Sequence, residues 1–245
     1  MAQYYMLHKP RGLLTARRDA RRETVMSCFP EALRETLHPV GRLDRDTEGL
    51  LLFTDDGMLD VRLLRPERHV EKEYEYRAFG CLDEAAMRRL EAGVPLLEGQ
   101  PLSLPARAQL LAHTSIGESA PYLPERFREK YLKNPSRPVT VGKLWITEGR
   151  KHQVKLMVKA VGGHVFYLKR LAIGPVRLDE ALRPGEYLIR LRLTRAKELL
   201  RATDLPVSEI AYRVGMENTS YFISVFRARE GATPQQYRRR WSPVA

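Results

Sequence analysis

Apolar and polar positions alternate along this chain with two different periods. Tyr4 to Leu7 is a short apolar run closed by Lys9-Pro10-Arg11-Gly12, where Pro and Gly stop a strand in a turn. Leu50-Leu51-Leu52-Phe53-Thr54 lies between Gly49 and the Asp55-Asp56-Gly57 turn and predicts a buried strand. Glu71 to Phe79 alternates charge with Tyr and Ala, as a half-buried strand does. Further strands are predicted at Leu102 to Leu111, Val141 to Thr147, His164 to Leu168 and Leu178 to Tyr187. Helical spacing covers Met58 to Leu64, Asp83 to Ala92 and His152 to Val161; Asp83 is a plausible N-cap, and Gly93 and Gly162-Gly163 are stops. Arg17 to Arg22 reads as a charged loop, followed by Val25 to Phe29 and a short segment over Glu31 to Leu37. His113 to Val139, with four prolines and five Lys or Arg from Arg126 to Arg137, predicts a long basic excursion holding about one helical turn. The elements lack a regular β-α-β rhythm and show no repeat. The pattern predicts an α+β fold, with a mixed, largely antiparallel sheet and flanking helices.

From Arg190 the texture becomes helix upon helix. Leu191, Leu193, Ala196, Leu199 and Leu200 share one helical face. A short helix opens at Ser208 and ends at Gly215, another begins at Ser220 with Tyr221, Phe222 and Phe226, and a last one spans Gln235 to Trp241. Two domains are expected, residues 1–187 and 188–245, the second small and all-α.

Charge narrows the class of partner. The 245 residues carry 42 Lys+Arg against 30 Asp+Glu, a net +12. Residues 190–245 hold 11 of the basic and 5 of the acidic residues, so half the net charge sits on under a quarter of the chain. A protein this basic points to a polyanion, with nucleic acid the leading candidate. Two separated cysteines, Cys28 and Cys81, exclude a disulfide scaffold and a cysteine-built zinc site and suit a reducing compartment. No apolar run reaches the roughly 18 residues of a membrane span, and the first ten residues do not form a secretory signal. A cytoplasmic protein without membrane contact is expected. The six histidines are scattered without ligand spacing, and no Gly-rich phosphate loop is present, so neither a metal nor a nucleotide cofactor is expected.

The candidate chemistry sits in Gly41-Arg42-Leu43-Asp44-Arg45-Asp46-Thr47-Glu48-Gly49, just ahead of a buried strand. Carboxylates set between arginines are favoured in the ionised form. By charge alone, Asp44, Asp46, Arg42 and Arg45 read as surface ion pairs. The whole string through Gly57, however, resembles the signature of the RsuA-like ribosomal RNA pseudouridine synthases. Three further segments match that family in the same order: Lys9-Pro10-Arg11-Gly12, Glu71-Lys72-Glu73-Tyr74, and Thr147-Glu148-Gly149-Arg150-Lys151-His152-Gln153-Val154-Lys155-Leu156-Met157 running on to Val165. Arg170 to Gly174 and Leu182 to Tyr187 fit as well, so the resemblance covers about residues 1–187.

The resemblance implies an enzyme that isomerises a specific uridine to pseudouridine, and it distributes roles. Asp44 would be the catalytic aspartate. Tyr74 would pack against the target base and assist a late proton removal. Arg150 would pair with the aspartate. Lys155 would contact phosphate, joined by Arg11, Arg42, Arg45 and Lys72 as RNA-binding residues, while His152 would be structural. The uridine must leave the stack to be reached, so base flipping is expected. The expected partner is ribosomal RNA or a ribosomal-subunit assembly intermediate, met by a monomer. Many members of this family carry a small RNA-binding module ahead of the catalytic domain, whereas this chain begins directly at the first catalytic strand.

The tail has a second resemblance. Arg192 to Leu200, Val207 to Met216, Ser220 to Arg227 and Gly231-Ala232-Thr233-Pro234 with Tyr237-Arg238 are similar to the linker helix and second helix-turn-helix of an AraC-type regulator. The resemblance implies a helix in the DNA major groove, carrying Asn218, Ser220, Tyr221, Ser224 and Arg227. That family normally uses two such units, and a lone unit has little contact area. The rival function is a DNA-binding transcriptional regulator with a synthase-derived N-terminal domain. The three catalytic matches are complete and the DNA-binding domain is half present, which favours the enzyme.

Overall fold

The computed structural model describes residues 3–58, 63, 65–178, 193, 196–214, 216 and 218–241. The chain divides into two compact units, Met1–Thr15 with Pro39–Asp179, and Ala16–His38 with Glu180–Ala245.

The first unit is built on one mixed sheet. Its strands are β1 (Tyr4–Lys9), β2 (His38–Val40), β3 (Glu48–Thr54), β4 (Lys72–Phe79), β5 (Arg107–Ser115), β6 (Pro138–Ile146), β7 (His164–Ile173) and β8 (Val176–Arg177). The main path runs β1-β3-β7-β4-β6-β5, with β2 on β3 and β8 on β7. Along that path β3–β7 is parallel and the other pairings are antiparallel. Among the described residues, α2 (Glu84–Ala92) and α4 (Gln153–Ala160) are two of the helices that pack on the sheet. The helix α2 buries Ala86, Met87 and Leu90 and packs on β5. Asp83 caps it, accepting from the Ala86 N–H at 2.8 Å, and Gly93 ends it at φ +93°. The helix α4 buries Gln153, Val154, Met157 and Val158 as one stripe and packs on β7.

Two glycines make room within the sheet. Gly142 lies opposite Tyr76 in the β4–β6 ladder, and a Cβ there would lie 2.5 Å from the Tyr76 hydroxyl. The Tyr76 ring is fully buried, its hydroxyl 3.8 Å from the Met87 sulfur, and burial pushes its ionisation up to about 12. Gly49 holds φ +108°, and a Cβ on it would run into the Arg170 backbone of β7. β3 and β7 come together as a parallel pair at Glu48–Lys169 and Gly49–Arg170.

Three sequence expectations shift. β5 begins at Arg107 rather than Leu102, since Pro101 and Pro105 remove ladder donors and leave Leu102 and Leu104 exposed. β7 runs ten residues instead of five: Lys169 and Arg170 interrupt the apolar pattern, yet Arg170 is buried and its Nε donates to the Leu50 carbonyl at 2.8 Å. The basic excursion is more ordered than its prolines suggest. It holds a 3-10 turn at Ala120–Tyr122 and an eight-residue helix, α3 (Glu125–Leu132), which Pro124 precedes. The strand expected at Leu178 to Tyr187 and the helix at Met58 to Leu64 fall largely outside the described residues.

In the second unit, α1 (Glu31–Arg34) is a single turn, and α5 (Val207–Arg213), α6 (Thr219–Glu230) and α7 (Pro234–Trp241) follow a helical stretch over residues 196–202. Leu193, Ala196, Leu200, Ile210, Ala211, Val214, Met216, Phe222, Phe226 and Tyr237 form their core. The Phe226 ring meets Phe222 and Tyr237 edge-on. Among the described residues no helix is long and apolar enough to cross a membrane.

Gly49→Ala combines backbone strain with a clash against main chain, and is expected to cost about 2–4 kcal/mol, read as a lower urea midpoint. Glu73 on β4 is buried and faces Lys143 at 3.0 Å and Arg177 at 2.9 Å. Burial works to raise its ionisation, but the hydrogen bonds and charges of those two cations prevail and hold it below the ordinary 4.5. A depressed carboxylate stabilises the fold above its ordinary value, and loses that contribution as pH falls through the lower folded value. Glu73→Gln is therefore expected to flatten the loss of stability below about pH 4.5 in denaturation measured across pH.

Candidate active site

The loop from Gly41 to Thr47 leads into β3, and the segment from Lys9 to Thr15 fastens it. Lys9 is fully buried at the end of β1. Its ammonium donates to the carbonyls of Thr47 at 2.8 Å, Pro10 at 3.0 Å and Arg45 at 3.3 Å. A buried ammonium is tolerable only with its donors satisfied, and carbonyls of this loop satisfy them. The Gly12 N–H donates to the Arg45 carbonyl at 2.8 Å, and Arg45 Nε returns a bond to the Gly12 carbonyl at 2.9 Å. The Thr15 hydroxyl donates to the Leu43 carbonyl at 2.7 Å and accepts from the Leu43 N–H at 3.2 Å. A turn closes the loop, with the Thr47 N–H on the Asp44 carbonyl at 3.1 Å.

Asp44 projects from this clamp toward α4. Lys155 Nζ lies 2.8 Å from Asp44 Oδ2 and 2.6 Å from Asp46 Oδ1, so one ammonium bridges both carboxylates. His152 Nε2 stands 3.5 Å from Asp44 Oδ1. His152 is one turn ahead of Lys155 and holds φ +56°, a left-handed conformation unusual for a residue with a side chain. Asp44 keeps 27% of its side chain exposed. For Asp46, burial works to raise the ionisation, but the hydrogen bond and charge of Lys155, its own backbone N–H and the Arg11 charge together hold it below the usual 3.8.

Beside Asp46 opens a cleft of about 1000 Å³, lined also by Arg11, Arg45, Tyr167 and residues of α3; Asp44 lies outside this lining. The Arg11 guanidinium lies over the Tyr167 ring at 4.6 Å and donates to the Tyr122 carbonyl at 2.9 Å. The Tyr167 hydroxyl donates to Glu48 at 2.6 Å; burial, then the Glu48 carboxylate, push its ionisation far up, so it stays a neutral phenol. The cleft thus brings guanidinium, carboxylate and aromatic groups together.

The register places Tyr74 at the level of this loop. Gly49 pairs with Arg170, and Arg170 pairs with Tyr74 across the next strand. Two inter-strand spacings, roughly 10 Å, therefore separate the buried Tyr74 from the residue where the loop becomes β3. The expected contact between Arg150 and Asp44 is not formed. Arg150 is committed elsewhere: Nε bonds Glu148 at 2.9 Å, and the two terminal nitrogens bond the carbonyls of Pro101 at 2.7 Å and Leu102 at 2.9 Å. The left-handed turn at His152 separates it from α4, and Lys155 supplies the cation at Asp44 instead. Lys155 thus bonds the carboxylates of both Asp44 and Asp46. Lys72 is buried, with its ammonium 3.4 Å from the Thr147 carbonyl, and burial and then Arg170 lower its ionisation. Arg42 and Arg45 are exposed. In the sequence Lys9 reads only as part of a turn motif and His152 as structural, and nothing there marks Tyr167 as a lining residue of the cleft. Helical spacing from His152 to Lys155 was a usable signal, whereas nothing in the sequence marks a lysine as buried.

In the second unit, Asn218 caps α6, accepting from the Tyr221 N–H at 2.9 Å, so its side chain serves the helix. Ser220, Tyr221, Ser224 and Arg227 are exposed on α6.

This sheet and this carboxylate loop define an RNA-modifying class, and comparison with known proteins agrees: residues 3–160 match the RNA pseudouridylate synthase family, and the chain belongs to it. Within that family its relatives are of the RsuA kind. It is 43% identical over 185 residues to the uncharacterised RNA pseudouridine synthase YtzG of Bacillus subtilis, covering 75% of this chain and 68% of that one. It is 35% identical to the ribosomal small subunit pseudouridine synthase A of Escherichia coli K12, covering 76% and 69%. A crystal structure of a pseudouridylate synthase superposes with a TM-score of 0.61 at 33% identity, over 76% of this chain and 69% of that one. Residues 176–240 match a helix-turn-helix domain. The enzyme is a pseudouridine synthase with an AraC-type helix-turn-helix segment behind it.

Lys9→Met keeps the volume and apolar stem but strands three carbonyls. It is expected to cost roughly 3 kcal/mol and to lower kcat more than it raises KM, checked by denaturation and by steady-state kinetics on RNA.

Proposed function

We propose that this enzyme isomerises one uridine of small-subunit ribosomal RNA, with Asp44 acting at the anomeric carbon of a flipped-out nucleotide. The observation that carries this reading is the Asp44 carboxylate, fixed by a loop that Lys9 anchors and faced by Lys155 at 2.8 Å. Breaking the bond between uracil N1 and C1′ leaves positive charge on the sugar, and a held carboxylate stabilises or captures it. The uracil then turns, C5 bonds to C1′, the proton on C5 departs, and the freed N1 takes up a proton. Substrate and product have the same atoms, so nothing is oxidised or consumed.

Lys155 positions Asp44, and Arg11 and Arg45 hold the flanking backbone. Tyr74, at the level of the loop, packs on the target base and offers a phenol near the late proton transfer. Relatives at 35–36% identity are named for the small ribosomal subunit, which favours that RNA as the substrate. The exposed face of α6 and the helix-turn-helix match support a nucleic-acid contact by the tail, added to the enzymatic activity rather than replacing it.

Chemical mapping of pseudouridine on small-subunit ribosomal RNA tests the proposal. Wild-type protein is expected to add one mark. Asp44→Asn is expected to fall below about one-thousandth of the wild-type rate while RNA affinity stays within a few-fold. Lys155→Met is expected to lose most of kcat and Lys155→Arg to recover part of it. Undiminished turnover by Asp44→Asn would overturn the mechanism, and a mark confined to large-subunit RNA would overturn the substrate.

A further inference from the structure

The wall of the cleft formed by α3 has no part in the chemistry above, yet its composition is specific. Phe127 stands on α3 between Arg126 and Arg128, and all three line the cleft. Phe127 is 36% exposed, high for a phenylalanine in a folded unit. The Arg126 guanidinium lies over its ring at 4.4 Å. Behind it the aromatic groups continue inward without a break. Phe127 meets Tyr131 at 5.9 Å, Tyr131 meets Phe79 at 4.8 Å, and Phe79 stacks on Phe166 at 4.6 Å. Arg137 covers the Phe79 ring at 4.4 Å. Phe79 is buried on the central strand β4, so the array is anchored in the sheet. Tyr131, with Phe79 and Phe166, packs α3 against the sheet; the outer ring of Phe127 is surplus to that task.

An exposed ring beside guanidinium groups, in a cleft that Asp46 and Arg45 of the Asp44 loop also line, matches what an unstacked base and its phosphates require. We infer that the α3 wall is a subsite for an unpaired RNA nucleotide flanking the target, its base stacked on Phe127 and its phosphates met by Arg126 and Arg128. The inference rests on the reading of the cleft as the RNA site and adds where the neighbouring strand is held. Stacking uses the π-face that every base has, so this subsite selects for single-stranded character at that position and not for base identity. It favours a target uridine in a loop or an unfolded assembly intermediate.

Fluorescence anisotropy of the full chain with two labelled strands of equal length tests this: oligouridylate, and an abasic ribose-phosphate strand with the same charges. Wild-type protein is expected to bind oligouridylate about tenfold more tightly than the abasic strand. Phe127→Ala is expected to remove most of that ratio while binding the abasic strand as before, and Phe127→Trp to retain it. Arg126→Gln with Arg128→Gln is expected to weaken both strands alike and to flatten the salt dependence. A wild-type ratio near one, or an intact ratio in Phe127→Ala, overturns the subsite. Asp44→Asn should keep the full ratio. Pseudouridine formation without the ratio refutes the subsite alone; the Phe127-dependent ratio without any pseudouridine supports the subsite and refutes the catalytic reading.

Discussion

A single buried ammonium organises the catalytic end of this enzyme. Lys9 leaves the sheet at the last residue of β1 and donates to carbonyls of Pro10, Arg45 and Thr47. A loop of alternating charges would otherwise sample many shapes in water, since its arginines and aspartates gain little from exposed pairing. Carbonyls drawn onto a desolvated cation cannot be released without stranding it, so the loop takes one conformation. The Gly12 and Thr15 bonds add direction, and Gly49 lets β3 press directly on β7 behind the loop.

That fixed loop meets a second, independently built element. The helix α4 begins after the left-handed His152 and carries Lys155 one turn later, with Gln153 tied back to Glu148 at 2.6 Å. Glu148 also holds Arg150, so the two basic residues of this stretch have separate tasks. Arg150 fastens the turn to the carbonyls of Pro101 and Leu102, and Lys155 reaches the carboxylates. The fold thus brings β1, the Asp44 loop and α4 together, from Lys9 to Lys155 in the sequence.

Much of this was legible before any coordinates. The apolar run at Leu50 to Thr54, the alternation from Glu71 to Phe79 and the Asp83 to Gly93 helix follow from local periodicity and capping, and they stand where expected. Ordered motifs pointed to Asp44. What stayed hidden depended on long-range burial. Lys9, Lys72, Lys169 and Arg170 read as polar positions, yet Lys9, Lys72 and Arg170 are buried. Arg150 and Lys155 are equally basic, and only the backbone turn at His152 decides which one reaches Asp44. The α3 helix was obscured by prolines that flank it instead of interrupting it.

The central claim is that Asp44 drives attachment of C5 to the sugar, and that step expels the hydrogen on C5. Release of tritium into water from small-subunit ribosomal RNA labelled at uridine C5 measures it directly. The account predicts release that rises to a plateau of about one equivalent per RNA with the wild-type enzyme and stays at background with Asp44→Asn. Equal release by both proteins, or none by the wild type on either free RNA or partly assembled subunits, would contradict it.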